Sequence, residues 1–175
     1  MKAVLNASPL IYLGKKRKTS LLRLVFEKIL VPIEVKKEIM KLYESPEATQ
    51  LRDAIQEGWV EVGRPSENKK RQISKLFGEI DEGEAAVIAL ALEGHGESVI
   101  IDDTEARVAA EYFKLKVHGT LYIILEAYRR TIFESKAEVI NIVNNMLRKG
   151  FYLSSEVYAR FLFLLDKLSG QYGRP

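Results

Sequence analysis

Residues 99–107, VIIDDTEAR, decide the fold. An unbroken apolar run, Val99-Ile100-Ile101, ends on two adjacent carboxylates, Asp102 and Asp103, and a helical pattern follows at once. A short run that is apolar at every position has no solvent face, so SVIID (98–102) reads as a strand buried on both sides, as in a parallel sheet. Working outward, KAVLN (2–6), ILVP (29–32), WVEVG (59–63) and LKVHG (115–119) read as further short strands. Helical patterns separate them: SPLIYLG opened by Ser8 as N-cap and Pro9, TSLLRLVFEK (19–28), IEVKKEIMKLYE (33–44), PEATQLRDAIQEG (46–58), ENKKRQISKLFGEI, DEGEAAVIALALEG and TEARVAAEYF. Strands alternating with helices predict an α/β fold, a three-layer α/β/α sandwich around a central parallel sheet. TLYIILEAYRR is one more helix, and beyond residue 133 only helical patterns remain, in 135–150 and 155–170. Residues 1–133 are therefore expected to form the sheet domain, and 134–175 a helical extension packed on it.

The chain has 175 residues, enough for one domain with a substantial core. A hydrophobic fraction of 47% and a charged fraction of 29% exclude a largely disordered chain. No apolar run reaches the roughly 18 residues of a membrane span, so no membrane partner is expected. The N-terminal apolar stretch is broken by Asn6, Ser8 and Pro9, unlike a secretory leader. With no cysteine, disulfide and thiolate chemistry are excluded, which suits a cytoplasmic setting. A net charge of +3 permits nucleic acid as a partner without requiring it.

Acidic side chains carry the functional signal. In parallel α/β sheets, ligands bind beyond the carboxyl ends of the strands. Asn6 ends the first strand and Asp102-Asp103 the fourth, so all three share one crevice if those strands are neighbours. On the helix after ILVP, Val35, Ile39 and Leu42 mark a buried stripe, and Glu38 falls on it. Glu84 shares a face with Val87, Ile88 and Ala91. Both glutamates are thus expected to point inward, near helix ends that face the strand C-termini. Carboxylates sharing a low-dielectric crevice raise one another's pKa. With no obvious lysine or arginine on the same faces, a hard divalent cation, Mg²⁺ or Mn²⁺, is the economical counter-charge. Simpler readings stand beside this one. Asp81 and Glu84 are spaced as a capping box, and Asp103 or Thr104 can cap the next helix. Glu38 can pair with Lys37 or Lys41, and Asn6 can be an ordinary turn residue.

Four stretches in order, VLNASPLIYL, ILVPIEVKKEI, DEGEAAVIALALEG and VIIDDTEARVAAEYFKLKVHGTLYIILEA, resemble the successive motifs of PIN domains, over roughly residues 2–130. More narrowly, they are similar to the VapC-related branch that carries N-x-SPLI, GEAxAIxLA and DDxxAR. The resemblance implies an α/β/α sandwich and a Mg²⁺- or Mn²⁺-dependent ribonuclease whose acidic cluster binds the metal. By position it implies metal-binding and catalytic roles for Glu38, Glu84 and Asp102 or Asp103. Ser8 matches a small hydroxyl residue beside the first acid, on the substrate side. The first metal-binding position, usually aspartate, is Asn6 here, an amide that can donate an oxygen but carries no charge. Such toxins are commonly dimers silenced by an antitoxin, which makes a homodimer and an antitoxin protein expected partners beside RNA.

Other signals are weaker. GKKRK (14–18) and NKKRQ (68–72) are basic clusters that could hold a phosphate backbone or simply be solvated surface. Arg107, one helical turn past Asp103, is a candidate phosphate contact or the partner of a nearby acid. GHGES (94–98) has a helix before it and a strand after it, the reverse of a phosphate-binding glycine loop. His95 and His118 lack zinc-ligand spacing, and His118-Gly119-Thr120 reads as a turn with Thr120 as N-cap. The last helix is apolar on more than one face, as a helix meeting a second copy or a partner would be. The sequence thus points to a metal-dependent endoribonuclease, with a catalytically weakened RNA-binding or regulatory module as the alternative. A receiver-like phosphoacceptor is disfavoured, because its acid pair would follow the first strand.

Overall fold

The computed structural model describes residues 2–14 and 18–172, so the centre of the GKKRK cluster, residues 15–17, lies outside the described residues. Five strands, β1 (Lys2–Leu5), β2 (Lys28–Pro32), β3 (Val60–Gly63), β4 (Ser98–Ile100) and β5 (Lys116–His118), form one sheet in the order β3-β2-β1-β4-β5. Every pairing is parallel. Ala3, Val4, Leu5, Val99 and Ile100 are wholly buried. Successive strand residues point to opposite faces, so both faces of the central strands are covered, as a three-layer α/β fold requires.

Seven helices interleave with the strands: α1 (Ala7–Gly14), α2 (Ser20–Val25), α3 (Ile33–Met40), α4 (Pro46–Gln56), α5 (Glu67–Leu76), α6 (Glu82–Leu90) and α7 (Thr104–Tyr112). Several begin where the sequence supplies a cap. Ser45 and Ser66 accept the Ala48 and Lys69 amides, and Asp103 accepts that of Ala106. α1 departs from expectation. It starts at Ala7, directly after Asn6, whose Oδ1 accepts the Ala7 amide at 2.8 Å, leaving Ser8 inside the first turn. α6 is buried from Gly83 to Leu90 on every face, the condition of a helix apolar all round. It widens into a π turn at Ala91–His95 and ends at Gly94, whose φ of 81° is open to glycine at little cost.

The chain divides into two compact units, Met1–Thr120 and Leu121–Pro175. The first holds the sheet. The second is helical, with most of α8 (Thr120–Arg129), then α9 (Lys136–Arg148) and α10 (Ser155–Tyr172). Tyr128, Phe133 and Phe161 are its largest buried side chains. Among the described residues, no helix is long and apolar enough to cross a membrane.

Candidate functional site

The strand order puts β1 beside β4, with Ala3 opposite Ser98 and Leu5 opposite Ile100. The Asn6 amide continues the pairing by donating to the Ile100 carbonyl at 3.1 Å. From β1 the chain proceeds to one side of the sheet and from β4 to the other, so this is the switch point where α/β folds open a crevice. Asn6 and the Asp102-Asp103 pair both stand there.

The first turn of α6 brings two more acids. Asp81 Oδ1 accepts the Glu84 amide at 2.7 Å, and Glu84 Oε2 accepts the Asp81 amide at 2.9 Å. This is a reciprocal capping box. It occupies one oxygen of each carboxyl group and leaves the other available. Gly83 lies between these groups and Asn6. A Cβ at Gly83 would sit 3.3 Å from Asp81 Oδ1 and 3.6 Å from Asn6 Oδ1, so both oxygens face one small volume. Glu84 is 6% exposed. Burial pushes its carboxyl up to about 7, and the negative charges of Asp81, Asp103 and Glu38 push the same way against the capping bond.

Glu38 reaches this cluster from α3, in a different way from the sequence expectation. Val35 and Ile39 are buried, but Glu38 is exposed and Leu42 is 43% exposed beyond the helix end. The stripe is centred between Val35 and Ile39, which places Glu38 about 80° off its axis at 100° per residue. The side chain opens on a cleft of about 290 Å³ shared with Lys37, Lys41, Asp81 and Gly83. Partial burial and the Asp81 charge raise its pKa, and Lys41 pulls it down.

The adjacent aspartates diverge. Asp103 caps α7 and lies close enough to Glu84 to raise its pKa. Asp102 turns away. Its Oδ1 and Oδ2 accept the Thr120 amide at 2.7 Å and the Thr120 hydroxyl at 2.5 Å. Thr120 is therefore the first residue of α8 and a donor to Asp102, not a cap. Burial raises the Asp102 pKa against these two hydrogen bonds and the Arg107 charge. Arg107 Nη1 donates to the Ile101 carbonyl at 2.9 Å, which anchors the guanidinium beside Asp102. Gly119 makes room for both, since a Cβ there would come within 2.8 Å of Asp102 Oδ1 and 3.4 Å of Arg107 Nη1. Ser8 is half-buried near the start of α1.

Glu38, Asp81, Glu84 and Asp103 thus come near one another from three separate stretches of chain, and among the described residues none forms an ion pair with lysine or arginine. Oxygen donors with excess negative charge fit a hard dication. Among the described residues, no three acidic or histidine side chains are close enough to hold one ion between them. Mg²⁺ needs only one or two carboxylates when it keeps its waters, so the donor set still fits it. Sequence reasoning missed Asp81 as a member, having read it as a cap alone. Its signal was the acid three residues ahead of a buried Glu84.

A doubly wound α/β chain with acids gathered at its switch point defines the class. The family comparison specifies it: a PIN-domain model matches residues 2–167, and the chain belongs to the PIN-domain family. PIN domains are generally nucleases and typically bind divalent metals. No curated protein matches the chain.

Proposed function

We propose that this PIN domain is a Mg²⁺- or Mn²⁺-dependent endoribonuclease, in which one or two of Glu38, Glu84 and Asp103 would bind the ion directly and the remaining acids, with Asn6 and Asp81, would reach it through its waters. The observation that carries this reading is the gathering of four carboxylates, none of them ion-paired among the described residues, near the β1/β4 switch point. A bound ion would supply Lewis acidity toward a phosphodiester and acidify water beside it. The chain's own residues do the rest. The capping box fixes Glu84 and Asp81 against the buried end of α6. Asp103 is fixed by capping α7. Asp102 serves as a positioning residue, tying Thr120 and Arg107 to the end of β4. Ser8 and Arg107 lie on the substrate side in this reading.

The test is cleavage of single-stranded RNA with Mn²⁺, with chelator, and by the Glu84→Gln and Asp103→Asn variants. The expected result is Mn²⁺-dependent cleavage lost with chelator and reduced at least a hundredfold in each variant. Equal cleavage in every arm means a contaminating nuclease and ends the reading. A non-hydrolytic RNA-binding module is the second reading. It is favoured by the uncharged Asn6, whose oxygen already accepts the Ala7 amide, and predicts RNA binding indifferent to Mn²⁺. Association of two copies belongs to the same proposal. Val157 and Phe163, 46% and 57% exposed on α10, support it, and a Phe163→Glu variant should sediment as a smaller species.

A further inference from the structure

The charges around the α3–α6 cleft do not cancel within the fold. Glu34 and Glu82 on its wall are held by Lys70, whose side chain is 6% exposed and which also pairs with Glu67 at 2.7 Å. That contact removes Lys70 from the NKKRQ cluster as a phosphate ligand. Arg107 is anchored to the Ile101 carbonyl. Lys37 and Lys41 remain on the cleft wall, and among the described residues neither forms an ion pair or side-chain hydrogen bond. They stand four residues apart, one turn of α3, so their stems run about 6 Å from each other on one face. Both flank Glu38.

Two residues beyond Lys41 the chain leaves α3 through a left-handed residue, as it does after α7 and α8 at Lys114 and Thr131. Tyr43 has a φ of 49°, a left-handed conformation that a bulky side chain adopts at a cost, and it is 78% exposed. An aromatic ring held in strained backbone at the surface buries nothing for the fold. Leu42, 43% exposed, adds apolar surface beside it.

We infer that the α3–α6 cleft is the entry site for one strand of RNA, with Lys37 and Lys41 taking backbone phosphates beside the acidic cluster and Tyr43 stacking a base. The inference rests on the nuclease reading for the choice of RNA. Lys37 and Lys41 line this cleft of about 290 Å³ together with Glu38 and Asp81 of the acidic cluster. Lysines on consecutive helical turns suit the spaced phosphates of an extended chain, and an exposed ring accepts any base.

Binding of a fluorescent single-stranded RNA, followed by anisotropy across a KCl series without divalent metal, tests this directly. Lys37→Gln/Lys41→Gln should lower affinity at least tenfold in low salt and reduce the slope of log K against log salt by about 1.4, two phosphates' worth. Tyr43→Ala should lose about tenfold with the slope unchanged, and Tyr43→Phe should retain binding. In cleavage assays the lysine variant should raise KM and leave kcat unchanged, whereas Glu84→Gln should lower kcat and leave binding intact. Equal losses from Lys69→Gln/Arg71→Gln on α5, or equal affinity for duplex RNA, would overturn the inference. Cleavage that ignores Lys37, Lys41 and Tyr43 overturns it while sparing the nuclease reading. RNA binding with these effects but no cleavage in Mn²⁺ does the reverse. A protein that neither binds nor cuts single strands ends both.

Discussion

Protonation of Glu84 should govern how stability varies with pH when divalent metal is chelated. Its carboxyl lies near 7 in the folded chain and at 4.5 in the unfolded one. Below pH 4.5 both states hold the proton. Between 4.5 and 7 the unfolded chain releases it and the folded chain does not, so stability falls as pH rises through that window and levels off above it. The upward shifts at Glu38 and Asp102 act in the same direction. For Glu84 alone the loss is on the order of 1–3 kcal/mol, the crevice being open to solvent. Thermal melts from pH 4 to 8.5 in chelator should show the decline. Glu84→Gln, which can still close the capping box, should flatten it, and Mn²⁺ should restore wild-type stability above pH 7. Gly119→Ala should cost about 1–3 kcal/mol, because the new methyl group meets a carboxylate already fixed by Thr120. At this scale the sequence was half legible. The acid pair could be found, but which aspartate faces the cluster depends on Thr120, eighteen residues away, and no local pattern encodes that.

The helices show why periodicity reads some faces and misreads others. α6 is buried on all sides, so placing Glu84 inward needed no fine angular judgement. α3 is only half covered, and a stripe read to Leu42 ran past the end of the helix at Met40 and swung Glu38 too far inward. On α5, Lys70 looks in sequence like one more surface charge, yet it is buried and joins α5 to Glu34 on α3 and Glu82 on α6. These are the two helices that carry Glu38 and Glu84. Glu34 Oε2 is buried with no hydrogen-bond partner, so the carboxylate depends on Lys70. Lys70→Met should therefore destabilise the protein by about 3–5 kcal/mol, measured by urea unfolding. The double variant Lys70→Met/Glu34→Met should recover most of that loss, because the stranded charge goes with its partner.

For the molecule as a whole, alternating strand and helix patterns sufficed for the fold class, and the short buried runs marked all five strands to within a residue or two. Strand order was beyond reach, since nothing local says that β1 lies against β4 rather than at an edge. That adjacency also sets when the crevice can exist. Ala3 finds its β4 neighbour only at Ser98, across two other strands, β2 and β3, and the helices between them. A chain still emerging from the ribosome, with α6 already out, has Asn6, Glu38 and Glu84 but no Asp103 to stand opposite them. A proteolytic nick anywhere between β1 and β4 that frees either side would likewise dismantle the cluster at once. The wiring thus makes assembly of the cluster a late event in synthesis, withheld from every polypeptide that stops short of Asp103.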